Sequence, residues 1–389
     1  MKNYKLLLTV LILFIGLNSK AQSYNNFYGD IVNNYSADTV YKYLVEFESL
    51  GVKEHNTAAL QNTLDWLIEK YTDYGYTDIQ IDTFNYAAAD DYNLIVTKQG
   101  SVYPNTYVII DGHYDTRAGT GTNDNGTGIS IILEVARLLQ DINTEYSIKF
   151  INFSGEEDGL IGSTSYVNNV VVPTNMDIKI VFNIDEVGGI NGIVNNTIVC
   201  ERDQATPTVA NAASYAYTDT LATCIELYSN LLTEISYAYS SDYMPFQAEE
   251  KVITGIYEKN ESPYNHTPND SLSRMDPGYV YEITQGTIGA ALYFSAAREF
   301  AVGIDLPNSK ESLIEVFPNP TKNNLIIDFK DLEIEETTIK IYTVLGELIL
   351  THKVKSKQEK LKLQHLTKGI YTLSVKSPNY YLTEKIVVQ

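Results

Sequence analysis

From Asn93 onward the chain alternates short, β-rich apolar runs with helical stretches, and few architectures accommodate that order. Asn93–Lys98 and Tyr107–Asp111 read as strands, Gly126–Gln140 as a helix, Ser147–Phe153 as a strand, Leu160–Asn169 as a helix and Ile178–Ile184 as a strand. Helices within 207–232, a strand at Val252–Tyr257 and a long helix over Pro277–Phe300 continue the series. Continuous apolar strands separated by helices predict an α/β fold, with a mainly parallel mixed sheet sandwiched by helices. Two helices precede it, Asp38–Leu50 and Asn56–Tyr74. The second carries Leu60, Leu64, Leu67, Ile68 and Tyr71 on one side and Gly75 as its stop.

Beyond the closing helix the period changes. Residues 304–312 have a linker's composition, with Pro307, Asn308 and Ser309 among charges. Period-two strands then follow at Asn324–Phe329, Thr338–Tyr342, Glu347–His352, Lys360–Leu363, Ile370–Val375 and Glu384–Val388, so residues 313–389 predict a small all-β sandwich. Charge divides at the same place. Residues 22–304 carry 13 Lys+Arg against 38 Asp+Glu, whereas 305–389 carry 12 Lys against 11 acids. An acidic body of that kind disfavours nucleic acid as a partner, because phosphate binding needs clustered cations.

At the start, Lys2 and Lys5, the apolar run Leu6–Leu17 and Ser19-Lys20-Ala21 read as a secretory signal over residues 1–21. Twelve largely apolar residues are too few to span a bilayer as a helix, and no later run is long enough, so the mature chain is expected to have no transmembrane segment. This leaves 22–303 as the main domain. Export permits a disulfide between Cys200 and Cys224, and two buried free thiols fit equally well.

Ligands of open α/β sheets bind beyond the carboxyl ends of the strands. There the sequence places Gly112-His113-Tyr114-Asp115, Asn123-Asp124-Asn125-Gly126, Ser154-Gly155-Glu156-Glu157-Asp158, Asp185-Glu186 and Asn265-His266-Thr267. Two of only five histidines join a set of carboxylates at one sheet edge. Histidine and carboxylate donors without cysteine suit zinc in an open, catalytic site. Plainer readings exist. Asp124 is placed to cap the helix opening at Gly126, Glu156–Asp158 would serve as an acidic turn, and Glu186 reads as a solvated neighbour of Asp185. No Gly-Lys-Ser/Thr follows the glycine-rich loop Gly119–Gly128, so a P-loop fails, and the absence of Gly-x-Ser-x-Gly disfavours a nucleophile elbow.

In order and spacing these five blocks resemble the co-catalytic zinc aminopeptidases of peptidase clan MH, the bacterial leucyl aminopeptidase type, over about residues 90–300. The resemblance implies two zinc ions bridged by Asp124, one held also by His113 and Asp185, the other by Glu157 and His266. It implies a metal-bridging hydroxide with Glu156 as general base, and Asp115 accepting the spare N–H of His113. For the oxyanion donor, Tyr264 is the first choice, with Tyr237, Tyr239 and Tyr243 as competitors. Tyr243 stands where related sequences often have His.

Val316-Phe317-Pro318-Asn319-Pro320, Leu366-x-x-Gly369-Ile370-Tyr371 and the Lys385-Ile386-Val387 ending resemble the C-terminal sorting domain of the type IX secretion system. That resemblance implies export through a Gram-negative periplasm to the surface or the medium. The expected function is therefore an exported aminopeptidase acting on peptides with a free N-terminus. The alternatives are a one-zinc glutaminyl cyclase, a carboxypeptidase on the same scaffold, and a metal-dead surface binding protein. Trp66, the only tryptophan, lies ahead of the sheet and argues against the cyclase, which typically lines its pocket with Trp.

Overall fold

A computed structural model describes residues 22–299, 314–330, 334, 337–343, 348–364, 366–377 and 381–389. The signal over 1–21 and the linker over 304–312 lie outside the described residues. The chain divides into two compact units at residues 299/300.

The first unit is built on one eight-stranded sheet. Its strands are β1 (Ile79–Tyr86), β2 (Ala89–Lys98), β3 (Tyr103–His113), β4 (Tyr146–Phe153), β5 (Asp177–Ile184), β6 (Thr197–Arg202), β7 (Leu232–Tyr237) and β8 (Ile253–Glu258). They lie in the order β1-β2-β4-β3-β5-β8-β6-β7. The central four, β4, β3, β5 and β8, run parallel, and the hairpin β1–β2 joins antiparallel at one side. At the other, β6 pairs antiparallel with β8 and parallel with β7. This is the mainly parallel α/β sheet that the apolar strands predict. β4 and β5 are almost wholly buried towards their carboxyl ends, as strands covered on both faces must be.

β1, β6 and β7 are absent from the strands read in the sequence. β1 and β7 are partly exposed along their length, so their apolar content is too dilute to mark them. The long C-terminal helix also ends early, at Phe294 rather than 300. Ser295 caps it, and Ala297–Arg298 then pair with Asn143–Thr144.

The buried helix Gly126–Leu139 supplies the core's centre. Its N-cap is Asn125, whose side-chain oxygen accepts the N–H of Gly128 at 2.9 Å. Asp124 therefore does not cap the helix and remains free for other work. Gly128 is required there, because a Cβ would lie 2.4 Å from the Ile184 carbonyl oxygen. From β3 the chain crosses to β4 on one side, whereas from β5 it leads towards β6 and β8 on the other. The carboxyl ends of β3 and β5 therefore flank the point where connections diverge, where open sheets form their crevice.

The second unit contains a three-stranded and a four-stranded sheet, each antiparallel. Leu325, Ile327, Ile339, Ile341, Leu373 and Ile386 belong to one apolar core shared by both, which is the expected sandwich.

Candidate metal centre

His113 is the last residue of β3 and is completely buried. Its Nδ1 lies 3.1 Å from the carbonyl oxygen of Asp115, which can only accept, so Nδ1 carries a proton and Nε2 is the nitrogen that faces the carboxylates. That Nε2 lies 3.3 Å from Asp124 Oδ1 and 3.2 Å from Asp185 Oδ1. The other oxygen of Asp124 lies 3.0 Å from His266 Nε2, which is also 3.0 Å from Glu157 Oε2. Two donor groups result, His113–Asp124–Asp185 and Asp124–Glu157–His266, each compact enough to hold one ion and sharing a single carboxylate.

Asp124 Oδ2 and Glu157 Oε1 are buried without a hydrogen-bond partner, although an imidazole stands close to the first. Donor atoms that converge without pairing fit a cation between them better than they fit one another. The electrostatics agree. Burial, reinforced by Asp124, pushes Glu157 up to about 8. Burial pushes Glu186 up to about 10, with Asp124 and Asp185 adding to the effect. Glu156 is driven well above the usual carboxylate range by burial and then by Asp185, Asp242 and Asp115, against the pull of His113. Burial alone would lower His113, but Asp185 and Glu156 hold it well above the usual imidazole range. The residues thus fit divalent ions held by nitrogen and oxygen, the donor chemistry of zinc.

Asp115 has a second task beside His113. Its carboxylate accepts the backbone N–H groups of Glu156 and Glu157, each at 3.2 Å, and stays 3.6 Å from His113 Nδ1. The imidazole Nδ1 of His113 meets the Asp115 carbonyl at 3.1 Å and also faces its carboxylate. Asp115 therefore shapes the loop that presents Glu156 and Glu157.

The loop carrying Asp124 is held from below. Asp270 accepts the N–H of Asn123 at 2.8 Å and of Asp124 at 3.0 Å, one on each oxygen. Asn123 in turn accepts from Gly188 N–H at 2.6 Å and donates to Glu258. Asn125 donates to the Ile184 carbonyl at 2.7 Å, and Ser241 donates to Asp185 Oδ2 at 2.7 Å. Sequence reading gave none of these groups a role. Ser241 and Asn123 carry no signal that separates them from ordinary loop residues.

A cavity of about 280 Å³ opens against the donors, with Asp124, Glu156, Glu157, Asp185 and His266 in its wall. Tyr239, Tyr243 and Tyr257 also line it. Tyr264 is not among the lining residues, and its ring lies 4.9 Å beneath the Arg274 guanidinium. Tyr243 is buried, and its phenol donates to Glu201 at 2.7 Å. Glu186, expected to be solvated, lines the cavity at φ 47°. Trp66 packs edge-on against Phe47 and Tyr43, away from the cavity. Cys200 and Cys224 are free, buried thiols, and burial pushes Cys224 up to about 12.

Comparison with known proteins agrees with this geometry. Residues 315–389 match the profile of the secretion system C-terminal sorting domain. The aminopeptidase YwaD of Bacillus subtilis (strain 168) is 29% identical over 202 residues, 49% of this chain and 42% of that protein. The chain spans less than half the length of curated relatives that it matches. In fold it is similar to the LapA aminopeptidase of Legionella pneumophila, at TM-score 0.62 and 20% identity, covering 77% of this chain and 81% of that one. A glutaminyl cyclase of Bacteroides thetaiotaomicron, bound to N-acetylhistamine, has TM-score 0.55 at 17% identity, over 66% of this chain and 97% of its own. The profile of peptidase family M28 matches residues 93–291, just over half the chain and the stretch that contributes every donor of both groups, so the chain belongs to peptidase family M28.

Proposed function

We propose that this protein is an exported di-zinc aminopeptidase. On this reading residues 1–21 are its signal, 22–303 its catalytic domain, and 313–389 its address for the type IX secretion machinery. The observation that carries the reading is the sharing of Asp124 between two three-residue donor groups at one cavity. Two zinc ions held there would acidify a water molecule and polarise the scissile carbonyl.

The chain's own residues do the rest. Glu156 belongs to neither donor group, faces the same cavity and lies 3.9 Å from His113 Nε2. It takes the proton of the attacking water and passes it to the leaving amine. Asp115 orients that glutamate through its backbone, and Asp270 fixes Asp124 in the same way. Tyr239 and Tyr257 replace Tyr264 as the phenols able to donate to a developing oxyanion. A pocket without tryptophan among its lining residues favours the peptidase over the cyclase whose fold is shared.

Metal analysis of the purified mature protein should give two zinc ions per chain, whereas one tightly held ion would favour the cyclase. Glu156→Gln should keep both ions and lower kcat by about 10²–10⁴-fold. Wild-type turnover in that variant, or hydrolysis of N-blocked peptides as fast as free-amine ones, would overturn the proposal.

A further inference from the structure

The cavity holds an acid that the proposed hydrolysis does not use. Glu201 is on β6, opposite Gly255 of β8, and Gly255 in turn pairs with Asn183 of β5. Two strand spacings, about 10 Å, therefore separate its backbone from the strand that delivers Asp185. A Cβ at residue 255 would lie 2.7 Å from the Tyr243 ring and 3.1 Å from Glu201 Oε2, so glycine leaves the room those side chains occupy. Tyr243 at 1% and Glu201 at 4% exposure form the cavity floor, whereas Arg117 and His266 are exposed at its mouth.

Glu201 is only half satisfied. Oε2 accepts from the Tyr243 phenol at 2.7 Å, and that phenol is oriented by accepting the N–H of Tyr239 at 3.3 Å. Among the described residues no other group donates to the carboxylate, and no Lys or Arg joins it on the floor. Burial and the nearby charge of Asp185 push Glu201 up to about 7 despite the Tyr243 hydrogen bond. An ionised carboxylate in such a place is costly unless a cation meets it, and an apolar side chain seated there would leave it unpaired.

We propose that Glu201 is the specificity residue of a side-chain pocket that takes lysine or arginine at the substrate's N-terminus. The inference rests on the aminopeptidase reading. The α-amino group of a substrate must stay beside the scissile carbonyl at the metal donors, so what reaches the floor is the end of a long side chain. Leu160 supplies an apolar surface for its methylene stem, and the rings of Tyr239 and Tyr257 supply faces that attract a cation. The cavity's volume, about 280 Å³, is near the lower end of small-molecule sites and suits a single residue.

Zinc-loaded full-length protein and Glu201→Gln are compared on the anilides of lysine, arginine and norleucine, the last having lysine's four-carbon stem without its ammonium group. Calorimetric titration with free L-lysine and L-norleucine accompanies the kinetics. The wild type should prefer lysine to norleucine at least tenfold in kcat/KM, and Glu201→Gln should lower that ratio at least tenfold. The same variant should lose its preference for lysine over norleucine in calorimetry. A wild type that cleaves norleucine as well as lysine, or a variant whose ratio is unchanged even with both rates reduced, overturns the assignment. Failure of the wild type to cleave any of the three substrates would instead overturn the aminopeptidase reading on which it depends.

Discussion

Asp270 touches neither donor histidine, yet its replacement should be felt at both donor groups. Its two oxygens accept the N–H groups of Asn123 and Asp124 at 2.8 and 3.0 Å, and Asp124 is the carboxylate common to both donor groups. Asp270→Asn preserves size but keeps one acceptor oxygen, so one N–H then faces an amide N–H₂. A hydrogen bond to a charged group is worth about 1.5–3 kcal/mol, equivalent to about 10–150-fold in an equilibrium constant. If that loss falls on the ion-binding arrangement of the loop, zinc affinity drops by about 10–100-fold, the usual penalty for groups that support metal ligands.

The metal-free protein should tolerate the change better. Burial pushes Asp270 up to about 7, with Asp124 and Glu48 adding to the effect, so without ions the amide removes a repulsion as well as a hydrogen bond. Competition against a chromophoric chelator gives the affinities, and urea unfolding with and without zinc gives the stabilities. An affinity within twofold of wild type, or an equal loss of stability with and without zinc, would refute the account of Asp270 as a support for the ion-binding loop.

Lys53 is fully buried over the Phe47 ring, and burial lowers it from 10.5 to about 7 against the opposing effect of Asp270 and Glu48. Between those values the unfolded chain holds a proton that the folded chain has released, so stability rises with pH from about 7 towards 10.5, and the gain is absent below 7 where both states are protonated. From pH 7 to 9 urea unfolding should show wild type gaining about 2–3 kcal/mol relative to Lys53→Met; equal slopes would exclude it. Tyr243→Phe strips Glu201 of its donor and should cost about 1–3 kcal/mol in urea unfolding, so an unchanged midpoint would show the carboxylate to be satisfied otherwise. Gly128→Ala drives a methyl group against the Ile184 carbonyl and the capping side chain of Asn125, and should abolish zinc loading in any protein that remains soluble.

The legible part of the molecule is the part where chemistry and burial impose residue type. Buried parallel strands such as β4 and β5 must be apolar throughout, so they announce themselves, and so does the helix Gly126–Leu139. The donors were equally visible because imidazoles and carboxylates at strand ends have few other reasons to cluster. His113, Asp124, Glu157, Asp185 and His266 stand within reach of one another as the five blocks imply.

What stayed hidden is decided by direction rather than identity. Asp115 is an acid two residues from a histidine, but that its carboxylate also holds the next loop depends on where β4 ends, because the turn after β4 puts the N–H groups of Glu156 and Glu157 in its path. Glu186 and Asp185 are chemically alike and adjacent. The positive φ at Glu186 turns the chain so that both reach the cavity, and no propensity marks that turn in a glutamate. Glu201 is hidden most deeply. It lies on a strand the sequence did not reveal, beneath a glycine of β8 whose only signature is the side chain it lacks. Residues that bind ions are thus read from their type, whereas residues that choose a substrate are read from the space left beside them, and that space is a property of three strands at once.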